Sequence, residues 1–329
     1  MSMQLVDMAI YRIKTNCDWK EQVLMNLEQF KIDLAVGICR TLERIGKTEL
    51  IGEKLMIPCR GGEVDVYLYR AGRQDAPILF DLHGGGFVYG HGADEELFCD
   101  RLRKDLDINV ISINYRKAPK YPYPAAVEDV FDVLCYWWDH GTEFQMDGNR
   151  MAVIGHSAGG NLAAVAAMMG KESGKYQLCC QILNYPFLDV FSDPASKPKY
   201  PEALPVLLIK AFSDLYAKSE QRGHPHISPA LCSPEKLKGL PPAAVLVAEY
   251  DSLRAEGEHY ADLLRQADVP VTCQCIRGIG HGFIEHYFAR GVYDRMPEEP
   301  NRILPQNIEE KIADSMDFIE GTLREYLLK

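Results

Sequence analysis

Two glycine-rich motifs in the chain have the residue types needed to build the nucleophile and the anion site of an acyl-transfer reaction. One is His-Gly-Gly-Gly-Phe at 83–87 and the other is Gly-His-Ser-Ala-Gly-Gly at 155–160. Glycines on both sides of Ser157 let the chain reverse between a strand and a helix, which pushes the hydroxyl out of the fold. Ser157 is therefore the predicted nucleophile. Backbone amides without neighbouring side chains can point at a developing negative charge, and those predicted to form an oxyanion hole belong to Gly84, Gly85 and Ala158.

A serine hydroxyl needs a histidine base and a carboxylate that orients the base. Both follow downstream: Asp251 comes after an apolar strand candidate, and His281 comes after the next one. The order serine, aspartate, histidine is the order of α/β-hydrolases. Asp251 could instead cap a helix, as carboxylates after strands often do, and Glu249 is a nearby rival that would lie closer to the end of the strand. A structural turn at Ser157 and a loop role for His281 are the alternatives to catalysis.

The elements that must position these residues read as alternating strands and helices. Short apolar runs rich in β-branched residues predict eight strands, mostly parallel after a first hairpin, and therefore an α/β fold. Apolar residues from Ile308 to Leu327 recur at spacings of three and four and predict a final helix. The predicted strands are 54–58, 63–69, 77–82, 108–113, 151–154, 179–184, 243–248 and 271–276.

Composition restricts the class of protein. The 329 residues, 47% of them hydrophobic, can bury a large core, so we expect one domain over 1–329 with an inserted lid. The formal charge of −11 argues against a nucleic-acid partner. No apolar run reaches transmembrane length and no leader pattern opens the chain, so the expectation is a cytoplasmic protein without a membrane partner. The scattered cysteines fit reduced thiols and predict no metal site.

A cofactor is not expected either. The chain has no P-loop, and the glycines after His83 have the wrong spacing for a dinucleotide fingerprint. Acyl transfer through serine needs no cofactor.

The two glycine motifs resemble those of the hormone-sensitive-lipase-like branch of α/β-hydrolases, which includes bacterial acetyl esterases and carboxylesterases. The resemblance extends to Asn-Tyr-Arg-Lys-Ala-Pro at 114–119, Tyr-Pro-Ala-Ala-Val-Glu-Asp at 123–129, Asp-Ser-Leu-Arg-Ala-Glu-Gly at 251–257 and His-Gly-Phe at 281–283. It implies an eight-stranded, mostly parallel sheet flanked by helices. It also implies a helical cap formed by about 1–45 and 188–232, and hydrolysis of short acyl esters, acetyl to butyryl.

Three positions depart from the branch's usual pattern. His156 stands before the nucleophile where aspartate is usual, Ser252 follows the acid where proline is usual, and Lys120 replaces a glutamate. None of these removes a predicted catalytic atom. They leave open the hydrogen bonding around the elbow and the partner of Arg116.

The substrate is less visible than the chemistry. Aromatic residues near the motifs are candidates for an apolar substrate pocket, with ordinary core as the alternative. A small-molecule ester is the expected substrate; an amidase or peptidase would use the same triad, and a non-catalytic small-molecule receptor can use the same fold. The N-terminal helix is an alternative dimer contact, so a homo-oligomer is left open. The pocket candidates are Phe87, Tyr89, Phe187, Phe212, Tyr216 and Phe283.

Overall fold

The strands of the protein form one eight-stranded sheet. The computed structural model describes residues 50–201, 203–289, 305 and 307–329. The strands are β1 (Glu53–Cys59), β2 (Gly62–Tyr69), β3 (Ala76–Leu82), β4 (Asn109–Ile113), β5 (Met146–His156), β6 (Gln181–Asn184), β7 (Ala243–Tyr250) and β8 (Val271–Gly280). Their order is β1-β2-β4-β3-β5-β6-β7-β8. β2 is antiparallel to β1 and β4, whereas all other pairs are parallel. The predicted α/β fold with a mostly parallel sheet is confirmed.

The central strands show why the sequence predicts a parallel sheet. Every residue of β3 and of β4 is buried, as expected for strands covered on both faces. β5 begins at Met146 rather than at the predicted Met151. Its first half carries polar residues, and the register against β3 shifts between Pro77 and Ile78. The apolar run therefore marks only the part of β5 that leads directly into the nucleophile.

Helices follow most of the strands. The last helix begins at Ile308, as its apolar spacing predicts, and its buried residues join the main hydrophobic cluster with residues of the sheet. No helix in the described part of the chain is long and apolar enough to cross a membrane. The helices are α1 (Ala93–Leu106), α2 (Ala125–His140), α3 (Ala158–Ser173), α4 (Val206–Tyr216), α5 (Pro234–Leu237), α6 (Arg254–Gln266), α7 (Phe283–Phe288) and α8 (Ile308–Tyr326).

Of the two segments predicted to form a cap, the structure describes only the second. Residues 1–45 lie outside the described residues, so that half of the cap stays a prediction. Within 188–232 the chain forms α4 and three short 3-10 helices, Pro194–Ser196, Ser219–Gln221 and Pro229–Leu231. This insertion between β6 and β7 carries two of the aromatic residues predicted to line the pocket, both on α4.

A buried ion pair fixes the start of this insertion to helix α6. Lys197 and Glu256 are in direct contact, and their side chains are only 7% and 8% exposed. Glu256 also accepts hydrogen bonds from the amides of Leu188 at 2.7 Å and Asp189 at 3.1 Å. Burial raises the pKa of Glu256 to about 7, although the Lys197 ammonium acts in the opposite direction. The carboxylate therefore depends on Lys197 for its charge.

Replacing Lys197 by methionine should destabilise the fold, because it leaves the buried Glu256 without its cation. We expect a loss of about 3–5 kcal/mol in the free energy of unfolding, measured by urea denaturation at pH 8. Lys199→Met is the control: this lysine is exposed two positions along, and its loss should change stability by less than about 0.5 kcal/mol. Equal effects of the two substitutions would show that the pair has no special role.

Candidate active site

Ser157 occupies a strained turn between β5 and α3. Its φ of 53° and ψ of −113° place a non-glycine residue in a region that L-amino acids rarely adopt. The turn needs glycine nearby: a Cβ on Gly155 would lie 2.1 Å from the carbonyl oxygen of Gly159, and a Cβ on Gly159 would lie 1.8 Å from that of Leu82. The backbone of Ser157 is held on both sides, since its amide donates to Asn184 and its carbonyl accepts from Phe187, each at 2.9 Å.

The structure brings the three predicted triad residues together. Nε2 of His281 lies 2.8 Å from Oγ of Ser157, and Nδ1 lies 2.7 Å from Oδ2 of Asp251. Asp251 follows the end of β7 and is completely buried, and its second oxygen accepts the amide of Leu253 at 2.9 Å. This hydrogen-bond chain lets Nδ1 donate to the carboxylate while Nε2 accepts the serine proton.

Glu249, the rival acid, is directed elsewhere. Its Oε2 accepts a hydrogen bond from the amide of Gly278 at 2.6 Å, so Glu249 holds β8 rather than the imidazole.

The surroundings of His281 shift its pKa in two opposite directions. Burial lowers it, but the charge and hydrogen bond of Asp251, with smaller contributions from Glu285 and Glu256, raise it above the usual 6.5.

The predicted oxyanion loop lies beside Ser157. A Cβ on Gly84 would be 3.6 Å from Cβ of Ser157, and Gly85 has a φ of +98°. The hydroxyl of Tyr115 donates to the carbonyl of His83 at 2.9 Å, and the two rings stack at 4.1 Å, which braces the loop. Among the described residues, none accepts a backbone hydrogen bond from the amides of Gly84 or Gly85.

Ala158 is the first residue of α3. Its amide is thus one of the N–H groups at the start of the helix that have no partner within the helix. The amides of all three predicted residues thus have no backbone acceptor among the described residues, and the positive end of the helix dipole of α3 favours an anion at its start.

Five of the six aromatic residues predicted to line the pocket gather around the glycine loop. Phe87 stacks on Tyr216 at 3.6 Å and lies 6.1 Å from Phe187 between ring centres. Phe212 meets Tyr89 edge-on at 5.9 Å, and a Cβ on Gly86 would lie 2.3 Å from the Phe212 ring.

Phe283 lies apart from the other pocket candidates. It is buried in the main hydrophobic cluster and packs 5.4 Å from Tyr185.

The structure also answers two of the questions left by the departures from the branch pattern. Arg116 pairs with the buried carboxylate of Asp129 at 2.7 Å, so it has an acidic partner without the glutamate that Lys120 replaces. His156 is buried and lies 3.2 Å from the hydroxyl of Tyr185 through Nδ1.

A polar contact behind the triad was not visible in the sequence. The hydroxyl of Tyr185 donates to the carboxylate of Glu285, 100 positions further along the chain. Pairs at such separation leave no local periodicity that could reveal them.

A family model described as the α/β-hydrolase fold matches residues 79–285. The chain belongs to this family. Esterase LipI of Mycobacterium tuberculosis is 36% identical over 234 residues, which cover 69% of this chain and 71% of LipI. An ethyl acetate hydrolase of Pseudomonas putida is 32% identical over 234 residues, which cover 68% of this chain and 72% of the hydrolase. Among solved structures, a thermostable esterase of Pseudomonas putida has a TM-score of 0.76 at 28% identity and covers 92% of both chains.

These comparisons confirm the resemblance to the hormone-sensitive-lipase-like branch of the α/β-hydrolases. They also confirm, at the level of enzyme class, the prediction of a carboxylic ester hydrolase. The matched segment of this α/β-hydrolase runs from β3 to α7 and includes the serine, the aspartate and the histidine described above.

Gly159→Ala should disrupt the turn at Ser157, because the added methyl group would overlap the carbonyl of Leu82. We expect a loss of about 1–3 kcal/mol in stability together with the loss of ester hydrolysis, measured by thermal unfolding and an esterase assay. Gly321→Ala is the matched control, since a Cβ there meets nothing within 4 Å and the residue lies in helix α8. That change should stabilise by about 0.5–1 kcal/mol and leave activity intact. An active Gly159→Ala enzyme would contradict the steric argument.

Proposed function

We propose that this α/β-hydrolase is a serine carboxylesterase that acts on short-chain acyl esters, acetyl to butyryl. The observation that carries the proposal is the continuous hydrogen-bond chain from Ser157 through His281 to Asp251, with distances of 2.8 and 2.7 Å. A serine whose hydroxyl is hydrogen-bonded to a carboxylate-oriented histidine is an activated nucleophile.

The reaction follows from this geometry in two steps. Oγ of Ser157 attacks the ester carbonyl while Nε2 of His281 takes the hydroxyl proton, and the imidazolium then gives this proton to the leaving alkoxide. The product of the first step is an alcohol and a serine ester. Water then attacks that ester, with His281 again taking and returning a proton, and the carboxylic acid leaves. Asp251 holds the imidazole in the tautomer that has its proton on Nδ1.

The tetrahedral intermediate of each step carries a negative oxygen. We assign its stabilisation to the amides of Gly84, Gly85 and Ala158, which lie next to the nucleophile and are free to donate. Preorganised donors of this kind contribute most when charge develops, and the loss of one typically costs about 3–4 kcal/mol in the barrier.

The preference for short acyl chains is supported by the aromatic residues around the loop. Phe212 lies directly over Gly86, and Phe87 is sandwiched against Tyr216 beside it. Both phenylalanines are buried, so the space next to the oxyanion loop is closed by rigid rings. We expect a pocket bounded by these rings to accept a small acyl group and to exclude a long one.

Ser157→Ala should abolish the hydrolysis of a p-nitrophenyl ester series from acetyl to long acyl chains. Removal of the nucleophile typically lowers kcat by roughly 10⁴- to 10⁶-fold. Ser173→Ala is the matched control, because this serine lies exposed at the other end of the same helix and should not affect turnover.

Three outcomes of the ester series would change the proposal. Activity that survives in Ser157→Ala would remove the serine mechanism. A folded wild-type protein that hydrolyses none of the esters but cleaves amides would indicate an amidase, and binding without turnover would indicate a receptor.

Phe212→Ala should extend the range of acyl chains, because it removes the ring that covers Gly86. We expect the ratio of kcat/KM for octanoyl over acetyl p-nitrophenyl esters to rise by about tenfold or more, since each buried methylene is worth on the order of 1 kcal/mol. Phe191→Ala lies in the same insertion with the side chain exposed and serves as the control. An unchanged ratio would show that another residue limits acyl length.

A further inference from the structure

Helix α7 begins two residues after His281 and carries Glu285 on its first turn. The side chain of Glu285 is only 15% exposed. Its carboxylate lies against the predicted oxyanion loop, since a Cβ on Gly84 would be 3.1 Å from Oε1. An acidic side chain this close to the reacting atoms needs an explanation, because an unbalanced negative charge opposes an oxyanion.

Glu285 is tied to the sheet beneath the nucleophile by a chain of polar groups. Tyr185, which follows β6, donates its hydroxyl proton to Oε2 of Glu285. Nδ1 of His156, at the end of β5, lies 3.2 Å from the Tyr185 hydroxyl and 3.8 Å from Oε1 of Glu285. On the other side of the ring, Nε2 of His156 lies 3.7 Å from Asp81 on β3. Elements β3, β5, β6 and α7 are thereby connected through buried side chains.

We infer that Glu285 is a positioning residue for ester hydrolysis: its carboxylate anchors the segment that carries His281 to the elbow and places a negative charge beside the imidazole. The inference rests on the proposed role of His281 as the base. Tyr185 links Glu285 to the base. Its hydroxyl donates to the Glu285 carboxylate, and its ring packs edge-on against His281 at 5.2 Å between ring centres.

The charged groups around the two residues support this assignment. His281 contacts the carboxylate of Asp251, and the negative charges of Asp251, Glu285 and Glu256 all favour its protonated form against the opposing effect of burial on its pKa. His281 becomes an imidazolium during both steps of the reaction, so each negative charge near it stabilises the transition state more than the resting enzyme.

Glu285 itself contacts Tyr185 and lies 3.8 Å from His156, and its charge also acts on the buried Glu95 of α1. Burial, followed by the charge of Glu285, raises the pKa of Tyr185 and keeps the hydroxyl neutral as a donor. Burial and the neighbouring Asp94 also raise the pKa of Glu95, which favours its uncharged form. Nδ1 of His156, 3.8 Å from Oε1, is the polar group that Glu285 meets at the end of β5.

Glu285→Gln tests the charge, since glutamine keeps the size and the acceptor oxygen for Tyr185. The wild-type kcat/KM for p-nitrophenyl acetate should fall toward acid with a midpoint above 6.5, the unperturbed value for histidine. Loss of the negative charge lowers the pKa of His281, so the midpoint in Glu285→Gln should move to lower pH by about 0.5–1 unit. A less basic imidazole should also lower the plateau kcat several-fold, with KM nearly unchanged.

Two variants separate charge from packing. Glu285→Asp keeps the charge and should retain a midpoint within about 0.2 units of wild type, with a lower plateau. Glu258→Gln removes an exposed glutamate on α6, paired with Arg254, and should leave the whole profile unchanged.

Several outcomes would overturn the inference. If the pH profile of Glu285→Gln superimposes on that of wild type while Ser157→Ala remains inactive, Glu285 has no part in the reaction although the esterase mechanism stands. A shift of the pH midpoint in Glu285→Asp as large as that in Glu285→Gln would point to packing alone.

Should Glu285→Gln fail to fold, Tyr185→Phe tests the hydrogen bond that anchors Glu285. We expect a several-fold lower kcat, and an unchanged kcat would refute the anchoring role. Activity in Ser157→Ala would instead remove the proposed function itself.

Discussion

The close approach of two backbones beside Ser157 is the constraint on which the rest of the site depends. The Cα of Gly159 lies so near the carbonyl oxygens of Leu82 and His83 that no side chain fits between them. This contact joins the end of β3, which leads into the glycine loop, to the first turn of α3, which follows the nucleophile. One packing contact therefore sets the position of the serine hydroxyl relative to the amides of Gly84 and Gly85. The strained φ and ψ of Ser157 persist because the second half of β5 and the first turns of α3 are buried on either side of it.

The parts of this arrangement that depend on local sequence were predictable. The glycines around Ser157, the apolar runs of the eight strands and the spacing of the last helix each reflect steric or burial requirements of the residues themselves. Local sequence could not decide whether Asp251 or Glu249 is the acid that contacts His281. It depends on β7 continuing to Tyr250, which keeps Glu249 within the strand facing Gly278 and leaves Asp251 as the first residue beyond the strand.

Contacts across the fold could not be read from the sequence for a different reason. Tyr185 and Glu285 are 100 positions apart, and Lys197 and Glu256 are 59 apart, so neither pair produces a periodic pattern. The aromatic residues pose a related problem, since a ring that lines a pocket and a ring in the core have the same composition and the same burial. Phe87 and Phe283 are each 1% exposed, yet Phe87 lies beside the oxyanion loop and Phe283 in the main hydrophobic cluster. Only the arrangement of the elements distinguishes them.

Each carboxylate that raises the pKa of His281 has a hydrogen-bond donor or a cation as its partner. Three carboxylates raise the pKa of His281, although the same reaction must also stabilise a negative oxygen a few ångströms away. Asp251 is matched by His281 itself, Glu256 by the buried ammonium of Lys197, and Glu285 by Tyr185 and His156. Each of these carboxylates therefore has a hydrogen-bond donor or a cation of its own. In the proposed mechanism, the glycine loop and the start of α3 contribute amide dipoles that stabilise the oxyanion. On this account, His156 and Glu285 act as a contacting pair, 3.8 Å apart between Nδ1 and Oε1, and we expect their substitutions to have coupled rather than additive effects on the proposed reaction.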